Sequence, residues 1–350
     1  MQLEIRENVP LARLTTLGVG GAARFFARAE DVRDVEEAVR FAENRGLALF
    51  VLGGGSNLVV ADAGWDGLVL QIAIGEIHQQ SAKGKTIFDV GAGVGWDQFV
   101  AHAVSLNCAG VECLSGIPGS VGGTPVQNIG AYGQEVSESV VSVLVFDLGQ
   151  KCVRELQAAE CGFSYRASIF NTSERGRYII LRVTYALMPR GGPAVKYADL
   201  QKYFAQRGGP PTLAETREAV RSIRASKGML ITPGDPDSKS AGSFFKNPVV
   251  SAEQHNDLAG RAAERNLQIP SYPALSQQHK ISAAWLVEHS GFKKGYTRGR
   301  AAISSKHALA IVNRGGATAS EILALHDEIQ ERVEQTWGVG LQTEPVFIGY

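Results

Sequence analysis

Between Ser115 and Val136 the chain reads SGIPGSVGGTPVQNIGAYGQEV, with six glycines, two prolines and no charged residue before Glu135. Glycine weakens helix and strand alike, and proline removes a backbone donor. The stretch therefore cannot build regular structure of its own, yet it lacks the charge of a disordered linker. It must be an ordered loop held by a scaffold on either side. A long, nearly uncharged, small-residue loop suits wrapping something large and flat, and a flavin ring with its pyrophosphate fits that need. The alternative is an Ω-type surface loop, which is normally more polar.

The flanking sequence supplies such a scaffold. ALFVL (48–52), GLVLQIA (67–73), TIFDVGAG (86–93), VVSVLVFDL (140–148) and YIILRVTYALM (178–188) are apolar runs of strand length. DVRDVEEAVRFAENRG (31–46) predicts a helix capped by Asp31 and ended by Gly46, and WDQFVAHAVSLN (96–107) predicts a second. The region 189–211 is rich in Gly, Pro and Tyr and reads as a linker or mobile loop. Beyond it, Thr212 with Glu215, Ser251 with Gln254, and Thr318 with Glu321 each fit a capping box. The last helix places Ile322, Leu325, Ile329 and Val333 at helical spacing and stops at Gly338. HALAIVN (307–313) and the residues after Pro345 are strand-like.

Composition narrows the function. The 350 residues carry 35 Lys+Arg against 35 Asp+Glu, so no net charge favours nucleic acid or an anionic membrane. No apolar run is long enough to span a bilayer, and the N-terminus, with Glu4 and Glu7, does not read as a signal peptide. The expected compartment is the cytoplasm. Cys108, Cys113, Cys152 and Cys161 form no C-x-x-C pair, so no metal site is expected and the thiols are expected to be reduced.

Several motifs bear on chemistry. LGGGSNLVV (52–60) follows a predicted strand and offers either a backbone nest for a phosphate, with Ser56 and Asn57 as added donors, or a tight turn. GAGVGW (91–96) has Trp96 where a dinucleotide fingerprint needs its third glycine, and reads as a strand end and turn. Arg166, in CGFSYRASIF, either pairs with a carboxylate of its own protein or awaits an anionic ligand. Arg217, Arg221 and Arg224 form a helical stripe, followed by Lys227, that is either solvated or receives a diphosphate. In SAGSFFKNP (240–248) Ser243 stands between Gly242 and two phenylalanines expected to wall off water, or the stretch is a turn before a core strand.

Taken together, LGGGSN, IPGSVGGTPVQNIGAYG, FSYRASIF, SAGSFFKNP, HALAIVN and EPVFIG occur in the order seen in the UDP-N-acetylenolpyruvoylglucosamine reductase family, from about Leu17 to Gly349. The resemblance implies a mixed α/β fold. It implies an FAD-binding region of the vanillyl-alcohol-oxidase type with two α/β subdomains, 1–75 and 76–190, a substrate-binding α/β domain over 205–338, and a C-terminal strand, 339–350, that returns to the FAD-binding region. It implies noncovalent FAD, because Asn57 stands where some relatives of the wider flavin fold carry a histidine that attaches the flavin. The FAD contacts implied are Gly53, Gly54, Gly55, Ser56, Asn57, Ile117, Pro118, Gly119, Gly123, Thr124, Val126, Asn128, Ile129, Gly130 and Tyr132.

The family's catalytic arginine, serine and glutamate fall on Arg166, Ser243 and Glu344. Its substrate contacts fall on Tyr197, Arg224, Lys227, Asn247 and Tyr132, and AVKYADL resembles the tyrosine loop of the longer members. The implied reaction uses NADPH to reduce a UDP-sugar enolpyruvyl ether in peptidoglycan precursor synthesis. Arg166 and a protonated Glu344 would stabilise the enolate, and Ser243 would protonate the carbon. A monomer is expected. The competing readings are another FAD oxidoreductase of this fold, acting on a hydroxy acid or alcohol, and a nonenzymatic nucleotide-binding protein.

Overall fold

The computed structural model describes residues 3–274 and 277–350, and contacts divide the chain into two compact units. The first comprises the residues up to Val9, Ala23–Gly55 and Asp66–Ser226. It holds a four-stranded sheet in the order Ile5–Pro10, Ala22–Ala29, Trp65–Ile72, Ala48–Leu52, the last two strands parallel. Helix α1 (Val32–Asn44) leads into Ala48–Leu52. Its capping box is made by Asp31 and Asp34, it buries Val35, Ala38, Val39 and Ala42, and it ends before Gly46 in a left-handed conformation.

A second, antiparallel sheet runs Cys152–Gln157, Val140–Asp147, Tyr178–Pro189, Lys85–Gly91, Ile77–Ala82, with Cys108–Ala109 paired to the far end of Tyr178–Pro189. Helix α2 (Trp96–Ser105) covers it. Phe99 of α2 stacks on Tyr185 at 4.9 Å and meets Phe88 edge-on at 5.5 Å, which fixes helix to sheet through buried aromatic area. Gly91 ends its strand and Trp96 opens α2, so the Gly-rich turn between them is a connection.

The region expected to be a linker is instead part of this unit. It contains helix α3 (Ala198–Tyr203), whose Leu200 is fully buried in a small cluster with Cys113, Tyr132, Ala219 and Val220. A single apolar anchor among Gly and Pro is enough to seat six residues, and it leaves no periodic signal to read. Helix α4 (Leu213–Ser226) follows, its start closed by reciprocal bonds between Thr212 and Glu215.

The second unit comprises Pro10–Ala22, Ser56–Trp65 and Lys227–Tyr350. Its main sheet is antiparallel, in the order Ser240–Ser243, Ala310–Asn313, Ala301–Ile303, Thr297–Arg298. Helices α5 (Ala252–Ala263), α6 (Ala283–Glu288) and α7 (Ala319–Trp337) surround it. The expected apolar stripe of α7 is buried, and the helix ends at Gly338 with φ +71°. Asp62 accepts bonds from the Ala319 and Ser320 amides, closing the start of α7. The strand Val346–Ile348 runs parallel to Leu58–Val60, directly after LGGGSN. No helix among the described residues is long and apolar enough to cross a membrane.

In the first unit the uncharged loop is held at its entry by charge. Asp97, in the first turn of α2, accepts the Gly116 amide at 2.6 Å. The same carboxylate takes two bonds from Arg217 and one from Arg221, both on α4. Arg224, one turn further on, is buried and donates Nε to the Gly116 carbonyl at 3.1 Å. The arginine stripe is therefore neither a solvated face nor, at Arg217 and Arg221, a free diphosphate site. Burial alone would raise the Asp97 pKa, but Arg217, the Gly116 amide and Arg221 together hold it below the usual aspartate value.

A carboxyl whose folded pKa is depressed contributes stability above its unfolded pKa and loses it as pH falls through the folded value. Asp97→Asn should therefore lower stability at neutral pH by about 2 kcal/mol, the scale of hydrogen bonds to charged groups. It should also flatten the acid limb of the stability–pH curve. Denaturant melts across pH 3–7 check this, and a variant that tracks the parent protein throughout would overturn it.

Candidate active site

Two glycine-rich segments of the first unit meet backbone to backbone. A Cβ on Gly54 would lie 2.5 Å from the Gly119 Cα, and one on Gly53 would lie 2.9 Å from the Ser120 Oγ. Only glycine permits this approach. The Ser120 Oγ is buried and has no hydrogen-bond partner among the described residues. An orphaned buried hydroxyl is costly unless a ligand completes it. At Gly123 a Cβ would meet nothing within 4 Å, so that side of the loop is open. Close glycines, a spare hydroxyl and an open face fit the pyrophosphate of a flavin dinucleotide, the group the sequence led us to expect.

Other residues of this loop have their side chains engaged by the protein. The Thr124 hydroxyl donates to the Val121 carbonyl and pairs with the Tyr185 hydroxyl at 2.8 Å. Asn128 donates to Glu135 and to the Ser164 carbonyl, and accepts the Ser137 amide. The Val126 carbonyl receives the Ser168 hydroxyl at 2.6 Å, and Ile129 is buried in the core. Ile117, Pro118 and Gly119 are partly exposed at the start of the loop. Thr124 and Asn128 thus shape the loop through their side chains, and the Val121, Gly122, Gly123 and Ile129 amides are likewise bonded within the protein.

At the far end of the loop four of the expected residues come together. Arg166, with φ +56°, donates Nη2 to the Gly130 carbonyl at 2.9 Å. Tyr132, with φ +50°, is buried, and the Tyr197 ring meets it edge-on at 5.5 Å. Tyr197 itself is 45% exposed. The guanidinium is thus fixed by a backbone carbonyl of the loop while keeping its permanent charge.

In the second unit, Ser243 and Glu344 lie on neighbouring segments. The Glu344 amide donates to the Phe244 carbonyl at 2.9 Å, the Lys246 amide donates to the Gln342 carbonyl at 2.9 Å, and Phe245 pairs antiparallel with Thr343. Gly242, with φ +80°, lets the strand bend just before Ser243, and Ser243 pairs with Ala310. Asn57 donates Nδ2 to the Glu344 carbonyl at 3.2 Å, tying the LGGGSN turn to the same segment, and Ser56 contributes its carbonyl to the Thr16 hydroxyl.

The phenylalanines do not form the expected walls. Phe244 and Phe245 are both buried in the core of this unit, and Phe245 stacks on His326. They anchor the strand from behind. Asn247 turns its Oδ1 to the Ala283 amide, capping α6, and Lys227 precedes Gly228, which at φ +65° packs against Asp237 and Lys306.

Sequence reasoning missed Asp97, Glu112, Ser120 and His326. Glu112 is buried, and its carboxylate accepts the Gly110 and Ala194 amides and the Gln134 side chain, closing the two ends of the loop region together. An acidic residue one position after GAGVGW, and another just before a 22-residue uncharged segment (113–134), are isolated charges in apolar sequence. That isolation was the available signal.

Comparison with known proteins agrees with this geometry. Residues 23–154 match the profile of an FAD binding domain, and residues 235–348 match that of the C-terminal domain of UDP-N-acetylenolpyruvoylglucosamine reductase. The chain is 45% identical to UDP-N-acetylenolpyruvoylglucosamine reductase of Thermobifida fusca, covering 100% of this chain and 99% of that one. It is 44% identical to the Saccharopolyspora erythraea reductase, covering 97% and 94%. The crystal structure of UDP-N-acetylenolpyruvylglucosamine reductase from Thermus caldophilus aligns with a TM-score of 0.67 at 28% identity, covering 99% of each chain. The expected mixed α/β fold with an FAD-binding region and a C-terminal domain is the fold found, and the chain belongs to the UDP-N-acetylenolpyruvoylglucosamine reductase family.

Proposed function

We propose that this chain is the FAD-dependent reductase that converts UDP-N-acetylglucosamine enolpyruvate to UDP-N-acetylmuramate with NADPH, a step of peptidoglycan precursor synthesis. The observation that supports it most is the backbone pairing of the Ser243 and Glu344 segments, which gives a proton donor and a carboxyl group on adjacent strands.

Bound noncovalently, FAD would supply the hydride chemistry that links NADPH to the terminal methylene carbon of the enolpyruvyl group. Two electrons and one proton enter with that hydride, and negative charge is left on the adjacent carbon and its carboxylate. Arg166 holds a fixed positive charge toward that carboxylate, where a preorganised dipole or cation acts most strongly in a water-poor site. Glu344, protonated, donates a hydrogen bond to the same charge. Ser243 gives up the second proton to the carbanion-like carbon, completing the saturated lactyl ether. Lys227, Arg224 and Asn247 serve the UDP portion, and Tyr132 and Tyr197 close over the sugar. Ser120, Gly53, Gly54 and Gly119 hold the FAD pyrophosphate, and the serine hydroxyl there gains the acceptor it otherwise lacks.

Three outcomes test these roles. Gly54→Ala drives a methyl group into Gly119, so the purified variant should retain less than a tenth of the parent's FAD by absorbance; full yellow colour would refute the cradle. Ser243→Ala should leave flavin reduction by NADPH near normal and slow reoxidation by the enolpyruvyl sugar by at least about 10²-fold, the lower range for general acid catalysis. Ser243→Cys, with its more acidic thiol, should recover part of that loss; an alanine variant with normal turnover removes the serine from the mechanism. Glu344→Gln should keep more activity than Glu344→Ala, because the amide still donates. Equal inactivity of the two would instead assign Glu344 a proton-transfer or charged role.

A further inference from the structure

His326 stands behind the Ser243 and Glu344 segments, on the buried face of α7. Its ring is bonded at both nitrogens: Nδ1 to the Asp327 carboxylate at 2.8 Å and Nε2 to the Thr343 hydroxyl at 2.7 Å. It stacks on Phe245 at 5.2 Å, lies 6.4 Å from Phe244 and meets Phe347 at 5.4 Å. Both ring nitrogens, buried, need partners, and the partners chosen here tie the ring to Thr343. The ring touches the residues immediately following Ser243 and those on both sides of Glu344.

The bonds also have one consistent direction. Asp327 can only accept, so Nδ1 carries the proton and Nε2 accepts from the Thr343 hydroxyl. The Thr343 oxygen is in turn approached by the Gln330 amide at 3.4 Å, and the same amide donates to the Leu341 carbonyl at 2.7 Å. A neutral imidazole satisfies every member, and burial lowers the His326 pKa toward that form.

We infer that His326, acting through Thr343, is a positioning residue that fixes the Glu344 segment against the Ser243 segment. Residues 342–344 enter the pairing with a short bridge and two backbone bonds. So short a pairing frays unless side chains brace it. The brace comes from α7: Gln330 holds Leu341, and His326 holds Thr343 while its ring is clamped on Phe245. One side chain thereby couples both strands, and a shift of the Glu344 carboxyl by about 1 Å is enough to cost a large factor in rate. The inference rests on the assignment of Glu344 to the reaction.

The test uses the holoprotein with Thr343→Val, which removes the hydroxyl with little change of shape, and Thr343→Ser, which keeps it. Thr343→Val should slow flavin reoxidation by the enolpyruvyl sugar about tenfold, leave flavin reduction by NADPH within about twofold, and speed hydrogen exchange of the Glu344 amide. Thr343→Ser should restore both the exchange rate and reoxidation. In a double-mutant cycle, His326→Leu with Thr343→Val should be no slower than the slower single variant, because both remove the same brace. Unchanged exchange in Thr343→Val, or a serine variant no better than valine, overturns the inference. If Glu344→Ala reoxidises as fast as the parent, the assignment of Glu344 fails. The exchange arm then still reports whether His326 holds the segment.

Discussion

Gly116 is gripped from both sides of its residue: Asp97 accepts its N–H and Arg224 donates to its carbonyl. The rest of the first unit's candidate site depends on that grip. Ordering a backbone costs roughly 1–2 kcal/mol per residue, with glycine at the upper end, and a loop of this composition recovers little of it by burying side chains. The cost is met by anchors spaced along the loop. Asp97 and Arg224 hold its entry, the Thr124–Tyr185 pair pins its middle to the sheet, and Asn128 ties the turn to Glu135 and Ser164. Each anchor is a side chain inside the protein, and backbone bonds from the Val121, Gly122, Gly123 and Thr124 amides complete the hold.

What was legible in the sequence follows from the range of the interactions involved. Helices α1, α2 and α7 and the strands at 48–52, 140–147 and 178–189 could be read because periodicity and capping are local. The glycines at 53–55 read as either a phosphate nest or a tight turn, and the close approach of Gly54 to Gly119 was visible in neither reading. The partners of Asp97 could not be read, since Arg217 and Arg221 lie 120 and 124 residues away. The stripe on α4 read as either a solvated face or a diphosphate site, and neither reading pointed to the Asp97 carboxylate. Phe244 and Phe245 misled for a related reason. Their types permit either a site wall or a core anchor, and only the packing around His326 decides between the two.

Both units solve one problem with different materials. Chemistry on a carbanion-like centre needs donors that do not reorganise at the moment of reaction. In the first unit, rigidity comes from charge and from backbone conformations that the fold enforces: Arg166 and Tyr132 both sit at positive φ, an arrangement that persists only where the surroundings over-determine it. Arg166 donates Nη2 to the Gly130 carbonyl, so its guanidinium is positioned by a backbone group of the loop.

In the second unit, rigidity comes from burial behind the Ser243 and Glu344 segments. A serine hydroxyl is a weak acid, and it is useful only when it is already in place. Gly242, at φ +80°, bends the chain where a Cβ would meet nothing within 4 Å, and Phe244 and Phe245 then spend two consecutive large residues on the core. Two adjacent buried aromatics break the in–out alternation of a strand, and the register shift between Ser240 and Ser243 accommodates it. The consequence is that Ser243 sits at the end of a bent segment whose next two residues cannot move without opening the core. Open space and immobility make opposite demands on a strand, and the Gly-Ser-Phe-Phe order meets both by putting the space at Gly242 and the anchor at Phe244 and Phe245.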